Sequence, residues 1–326
     1  KYMCIKLPSI IINSGEPAGI GLDLCVFLAF KKIPAKITIM ANRKALNARA
    51  KMHNKKINFI KNLGPHKGNG DIHLINVPYE SNVIPGEPIK ENSLSQIKMI
   101  DYGVNNCMNK NYDALVTLPI SKEILSTTRC KFTGHTEYIS NLCKTSNKEV
   151  MLLANKELKV ALVTTHVPLS QVSRLITKTK LTKIIRTLHF DLQKRFKIKK
   201  PKIIITGLNP HAGENGNFGD EEIKVIIPVI ESLNNEGFNL IGPVPADTAF
   251  VPKNINGVDC FLAMFHDQGL AAFKALSFGQ GVNITLGLPI VRTSVDHGTA
   301  YSLVGTKNIN PKSLYQAVAM AIKLSK

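Results

Sequence analysis

The chain has 326 residues, 44% hydrophobic and 20% charged, with a formal net charge of +19 and no tryptophan. That length calls for one large or two medium cores, and the balance of apolar to charged residues argues against disorder. No apolar stretch approaches the length of a membrane span, and no secretory signal pattern opens the chain, so the expectation is a cytoplasmic protein.

The positive charge is unevenly placed. Residues 203–306 hold four basic side chains (Lys224, Lys253, Lys274, Arg292) against ten acidic ones, a balance of −6 that leaves +25 for the rest. The excess lies in Lys-rich runs such as 31–67 and 178–202, which read as solvated faces. Basic residues interleaved with aromatics, as nucleic-acid surfaces use, are not seen, so no nucleic-acid partner is expected. Six cysteines (Cys4, Cys25, Cys107, Cys130, Cys143, Cys260) lie far apart without a CxxC pair, and read as reduced, mostly buried thiols.

In chain order, Ile10–Ile12 is a strand leading into the glycine loop Gly15–Gly21 and the apolar run Leu22–Phe30. The loop is neither a GxGxxG fingerprint nor a Lys-Ser/Thr phosphate loop, so it reads as a tight strand-to-helix turn. Ile37–Met40 is a second strand. Leu94, Ile97, Ile100, Val104 and Met108 fall at helical spacing, and the strand Ala114–Thr117 ends at Leu118-Pro119. Residues 122–131 are the expected crossing between domains. Beyond it, Val160–Val163, Ile203–Thr206 and Cys260–Phe265 are buried-strand runs. A helical stripe (Leu181, Ile184, Ile185, Leu188, Leu192, Phe196) separates the first two, and a helix over 221–233 is interrupted or kinked at Pro228. Strands alternating with helices predict an α/β fold.

His166, His211 and His266 each follow the carboxyl end of one of these last three strands. Ligands of open α/β sheets bind at that edge, and three imidazoles there can bind a divalent metal with positions left open for substrate. Taken singly, each histidine reads better as a strand cap or a satisfied loop residue; three placed alike favour the metal. Asp247 and Asp267 lie close by in sequence and could orient an imidazole, ligate, or act as base; solvation and helix capping are their plainer roles. Lys274, Asn283 and Arg292, at intervals of nine residues, supply a point charge, a neutral donor and a fork matched to an anion. With His135 and Thr136 they could hold a phosphate and a carboxylate.

The segments GEPAGIG (15–21), GHTEY (134–138), TTHVPL (164–169), GLNPHAGENG (207–216), PADTAF (245–250), HDQG (266–269) and GVNITLGLPIVRTSVDHGTA (281–300) resemble the 4-hydroxythreonine-4-phosphate dehydrogenase family of vitamin B6 biosynthesis. They run in order along nearly the whole chain, with the Lys-rich residues 41–111 carrying little of the match. The chain departs from the family at Leu22, where proline is usual, and at residues 217–220.

The resemblance implies a two-domain fold like isocitrate and isopropylmalate dehydrogenases. A first α/β domain would span 1–130 plus 300–326, and a second, 131–299, would carry most ligands and the dimer interface, with the active-site cleft between them. It implies a homodimer that binds NAD or NADP, and a divalent metal (zinc, magnesium, manganese or cobalt) held by His166, His211 and His266 across the dimer interface. Substrate-binding positions would be His135, Thr136, Lys274, Asn283 and Arg292. The implied reaction oxidises the C3 hydroxyl of 4-phosphooxy-L-threonine and releases the C1 carboxylate as carbon dioxide, leaving 3-amino-2-oxopropyl phosphate. A paralogue acting on erythronate or threonate 4-phosphate is the alternative.

Overall fold

A computed structural model describes residues 7–126, 132, 134–277 and 281–326, and the chain divides into two compact units, 1–146 with 288–326, and 147–287. Cys4 and Cys130, read as buried thiols, lie outside the described residues, whereas Cys25, Cys107, Cys143 and Cys260 are free and buried. Among the described residues no helix is long and apolar enough to cross a membrane.

The first unit begins with β1 (Ser9–Asn13), β2 (Ile33–Ala41), β3 (Asn58–Ile60), β4 (Pro65–His66), β5 (Asp71–Asn76) and β6 (Ala114–Thr117). The second holds β7 (Val150–Ala154), β8 (Lys159–Leu162), β9 (Lys202–Thr206), β10 (Asn239–Val244), β11 (Cys260–Ala263) and β12 (Val282–Leu286). The chain then returns to the first unit with β13 (Val291–Ser294).

In the first unit the strand order is β13-β6-β1-β2-β5-β3, with β4 antiparallel to β2 and every other pair parallel. Ile10, Ile11 and Ile12 of β1 are wholly buried, as a strand with helices on both faces requires. Helix Ser93–Met108 buries Met99, Ile100 and Val104 in a core with Ile11, Met40 and Leu115. Helix Lys312–Leu324 covers β13 and β6. The glycine loop is pinned from below: buried Arg49 donates to the carbonyls of Gly19 (2.9 Å) and Pro17 (3.1 Å) and pairs with buried Asp23. Asp23 also takes His53 Nε2 at 2.6 Å and the Gly305 N–H at 3.0 Å. A buried arginine–carboxylate pair survives only when its remaining donors and acceptors are met in this way.

In the second unit the order is β10-β9-β11-β8-β7-β12, parallel from β10 to β8, with β7 antiparallel to both its neighbours. Helix Lys178–Phe196 starts where Thr177 accepts the Lys180 N–H, buries Leu181, Ile184, Ile185, Leu188 and Leu192, and ends on left-handed Lys197. The helix expected over 221–233 begins as a π-helical turn, Glu222–Ile226, and continues as α-helix Ile227–Asn235. Pro228 follows directly on that π-helical turn, in the first turn of the α-helical part, and a proline there removes a backbone donor.

The unit boundaries differ from the expected 130/131 and 299/300. Helix His135–Leu142 packs on helix Ser93–Met108, and β13 pairs in parallel with β6, Arg292 opposite Leu115. Both contacts draw residues 131–146 and 288–299 into the first unit.

Candidate active site

The parallel neighbours β8, β11 and β9 end at one edge of the second unit's sheet, and each is followed by one of the three histidines. Beyond β8 and β11 the pairing continues: Val163 N donates to Ala263 O (2.9 Å), and Thr164 to Met264 O through both its N–H (3.1 Å) and its hydroxyl (2.8 Å). This extension carries His166 and His266 side by side, ring centroids 5.5 Å apart and planes at 44°. His266 Nδ1 lies 2.7 Å from Asp267 Oδ1. A carboxylate there holds the proton on Nδ1 and turns the Nε2 lone pair outward, as metal-binding imidazoles require.

The rest of the HDQG segment serves the same edge. Gln268 Oε1 accepts from Thr206 Oγ1 (2.7 Å) and Met264 N (2.8 Å), and its Nε2 donates to Gly207 O (2.8 Å). One side chain thereby ties the end of β9 to the end of β11. Gly269 lies against β8, where a Cβ would stand 2.9 Å from both Leu162 Cδ2 and Val160 Cγ1.

His211 is exposed, on the loop after β9, its ring 6.1 Å from that of Phe218. Its backbone is left-handed (φ 50°), and so is every residue on to Gly216. Asp247 is exposed in the first turn of the short helix Ala246–Ala249. Among the described residues of one chain no three His, Cys, Asp or Glu side chains converge as a metal-binding group. The structure brings His166 beside His266, with Asp267 bonded to His266 alone, and shows no such contact for His211 or Asp247. The donors present fit a divalent metal: two close imidazoles, one of them bonded to a carboxylate. Lys274 is exposed on helix His266–Ser277, and Asn283 on β12 is half-buried, its Oδ1 shielded from water and without a hydrogen-bond partner.

His135, Thr136 and Arg292 belong to the first unit and form a separate bay at the carboxyl ends of β6 and β13. Arg292 is 3% exposed. Its Nε and one terminal nitrogen donate to Thr117 Oγ1 (3.2 and 2.8 Å), and the other donates to Thr136 Oγ1 (3.3 Å). Burial, countered in part by Glu137, pushes the guanidinium down to about 10. His135 opens its helix after Gly134, and its Nε2 is buried without a partner. Burial, then the charges of Arg292 and Lys122, hold this imidazole well below its ordinary value of 6.5, so it is neutral near pH 7. A buried cation flanked by hydroxyls and a neutral ring is suited to one end of an anionic ligand.

Thr117, Gln268 and Glu222 went unread in the sequence. Thr117 looked like the last residue of a core strand, and Gln268 stood within a quoted motif with no role. Glu222, whose carboxylate bonds to Leu208 and Asn209, carried no signal beyond an acidic pair at a helix start.

The pyridoxal phosphate biosynthetic protein PdxA family matches residues 33–321. The chain is 43% identical over 328 aligned residues to 4-hydroxythreonine-4-phosphate dehydrogenase of Neisseria meningitidis serogroup A, covering 99% of each chain. It is 43% identical to the protein of that name from Methylococcus capsulatus, covering 98% of this chain and 97% of the relative. In three dimensions it matches the crystal structure of 4-hydroxythreonine-4-phosphate dehydrogenase from Klebsiella pneumoniae with a TM-score of 0.87 at 28% identity, covering 100% of this chain and 99% of the other.

Proposed function

The chain belongs to the PdxA family, and from that premise we propose that it oxidises 4-phosphooxy-L-threonine at C3 with NAD and releases carbon dioxide to give 3-amino-2-oxopropyl phosphate, in pyridoxal phosphate biosynthesis. The observation that carries the reading is that similarity to dehydrogenases of that name runs from end to end. It covers both the histidine edge of one unit and the arginine bay of the other.

The protein acts as a cytoplasmic homodimer. His166 and His266 of one chain supply two metal positions, and His211 of a second copy supplies the third. Phe218 and Ile223, each about half exposed, and Leu169, 73% exposed, lie on the segments flanking the histidines and suit such an interface. When bound, a divalent metal supplies Lewis acidity that lowers the pKa of the C3 hydroxyl and later stabilises the charge left by decarboxylation.

The chain's own groups do the rest. Arg292, with Thr136 and neutral His135, grips one anionic end of the substrate, and Lys274 and Asn283 take up the remaining polar groups. Asp267 keeps His266 oriented. Fixing the anionic end of the substrate orients C3 for transfer to the nicotinamide. The C3 hydrogen leaves as hydride to NAD, the hydroxyl proton passes to a base, and the C1–C2 bond then breaks with its electrons kept on C2.

The test is NADH formation by the purified protein on 4-phosphooxy-L-threonine, beside erythronate and threonate 4-phosphates. A kcat/KM at least tenfold higher for the amino acid supports the reading; equal or reversed preference refutes the substrate, and no NADH from any of the three refutes the reaction.

A further inference from the structure

The loop that presents His211 is conformationally unusual. From residue 211 to 216 every φ is positive: His211 50°, Ala212 52°, Gly213 80°, Glu214 40°, Asn215 57° and Gly216 96°. Only the two glycines adopt this region freely, and asparagine is tolerant; histidine, alanine and glutamate are held there against their preference. Such a run persists only where its surroundings over-determine it.

One buried carboxylate sits at the base of this run, bonded to the residues that lead into it. Glu222 is 1% exposed. Its Oε1 accepts the backbone N–H groups of Leu208 (2.7 Å) and Asn209 (2.8 Å), and its Oε2 accepts Asn209 Nδ2 at 2.9 Å. The same amide nitrogen reaches Glu221 Oε2 at 2.7 Å, and Glu221 is held in turn by Ser173 Oγ at 2.6 Å. A Cβ on Gly213 would come 2.7 Å from Glu222 Oε2, and one on Gly207 3.0 Å from Oε1, so the loop wraps the carboxylate with bare backbone. An acidic residue at a helix start usually serves its own helix. Glu222 instead reaches back 13 and 14 residues to the strand end that launches His211, and it does so from a π-helical turn, a rare local geometry.

We propose that Glu222 is the positioning residue of His211: its carboxylate locks the left-handed turn and so sets the imidazole's direction at the metal. The proposal rests on the reading of His211 as a metal ligand.

The test is cobalt(II) titration of the full-length, chelator-stripped protein, followed by visible absorption, for the parent, His211→Ala and Glu222→Gln. Glutamine keeps an oxygen for the two backbone donors but turns an amide N–H toward the Asn209 amide. Glu222→Gln should weaken cobalt binding about 10- to 100-fold and alter the band shape, while helical circular dichroism stays at the parent's level. If His211→Ala binds cobalt as the parent does, the ligand reading falls and this inference with it. If His211→Ala loses cobalt but Glu222→Gln keeps the parent's affinity and spectrum, the positioning role alone is overturned. Should Glu222→Gln fail to fold, Asn209→Ala replaces it; a tenfold loss with a changed spectrum supports the role, and an unchanged titration overturns it.

Discussion

Replacing Arg292 with methionine should separate stability from function. Burial, offset in part by Glu137, pushes the guanidinium from 12.5 to about 10. At about 1.36 kcal/mol per tenfold change, holding that buried cation charged costs about 3 kcal/mol. Methionine removes this cost and fills similar space. It also deprives the Thr117 and Thr136 hydroxyls of their donors, a loss of about 1 kcal/mol each. The net is about 1 kcal/mol in favour of the variant, so the ligand-free protein should melt within about 2 °C of the parent, or slightly above it. Turnover should move the other way. Two charge-assisted bonds from a guanidinium to an anion contribute about 1.5–3 kcal/mol each, so kcat/KM for the phosphorylated substrate should fall roughly 10²- to 10⁴-fold. The KM for NAD should stay within about threefold. Thermal melts without ligand and steady-state NADH formation read both sides. A fall in melting temperature of more than about 8 °C would mark Arg292 as a structural strut, and a kcat/KM within tenfold of the parent would remove it from substrate binding.

Two further outcomes follow from the same geometry. Asp267→Ala removes the partner of His266 Nδ1 from a side chain that is 88% exposed, so metal affinity measured by cobalt titration should drop about 10- to 100-fold with the melting temperature unchanged; unaltered affinity would show that Asp267 does not orient the ring. His135 is held below 6.5 in the fold, by burial first and then by Arg292 and Lys122. The unfolded chain therefore takes up a proton that the folded chain refuses. Stability from this group is complete above about pH 6.5 and declines as pH falls below that value, by up to about 1.36 kcal/mol per pH unit. His135→Gln should flatten the fall in melting temperature between pH 7 and 5; parallel curves for parent and variant would rule the group out.

The sequence revealed what local pattern encodes. Buried parallel strands read as unbroken apolar runs, so β8, β9 and β11 were visible, and with them the placement of His166, His211 and His266 at one edge. Arg292 stood out as one of four cations in an acidic stretch. What escaped was whatever depends on distant partners. Thr117 matters because Arg292, 175 residues away, donates to it, and Gln268 because it reaches Thr206 across 62 residues. The division into compact units has the same origin: β13 pairs with β6 across 177 residues, and no local composition announces it. The left-handed conformation of residues 211–216 was equally hidden, since no composition signal marks His211, Ala212 or Glu214 for positive φ.

Gly269 carries a consequence out of proportion to its size. At this residue helix His266–Ser277 comes closest to β8 and β11: methyl groups of Leu162, Val160 and Ala263 stand within 3.0 Å of where a side chain would begin. In a close-packed interior an added group there forces its neighbours to shift. Even one added methyl would lever the helix off the sheet, and His266, at the near end of that lever, would swing away from His166. The gauge that spaces the two imidazoles is therefore a residue with no side chain at all.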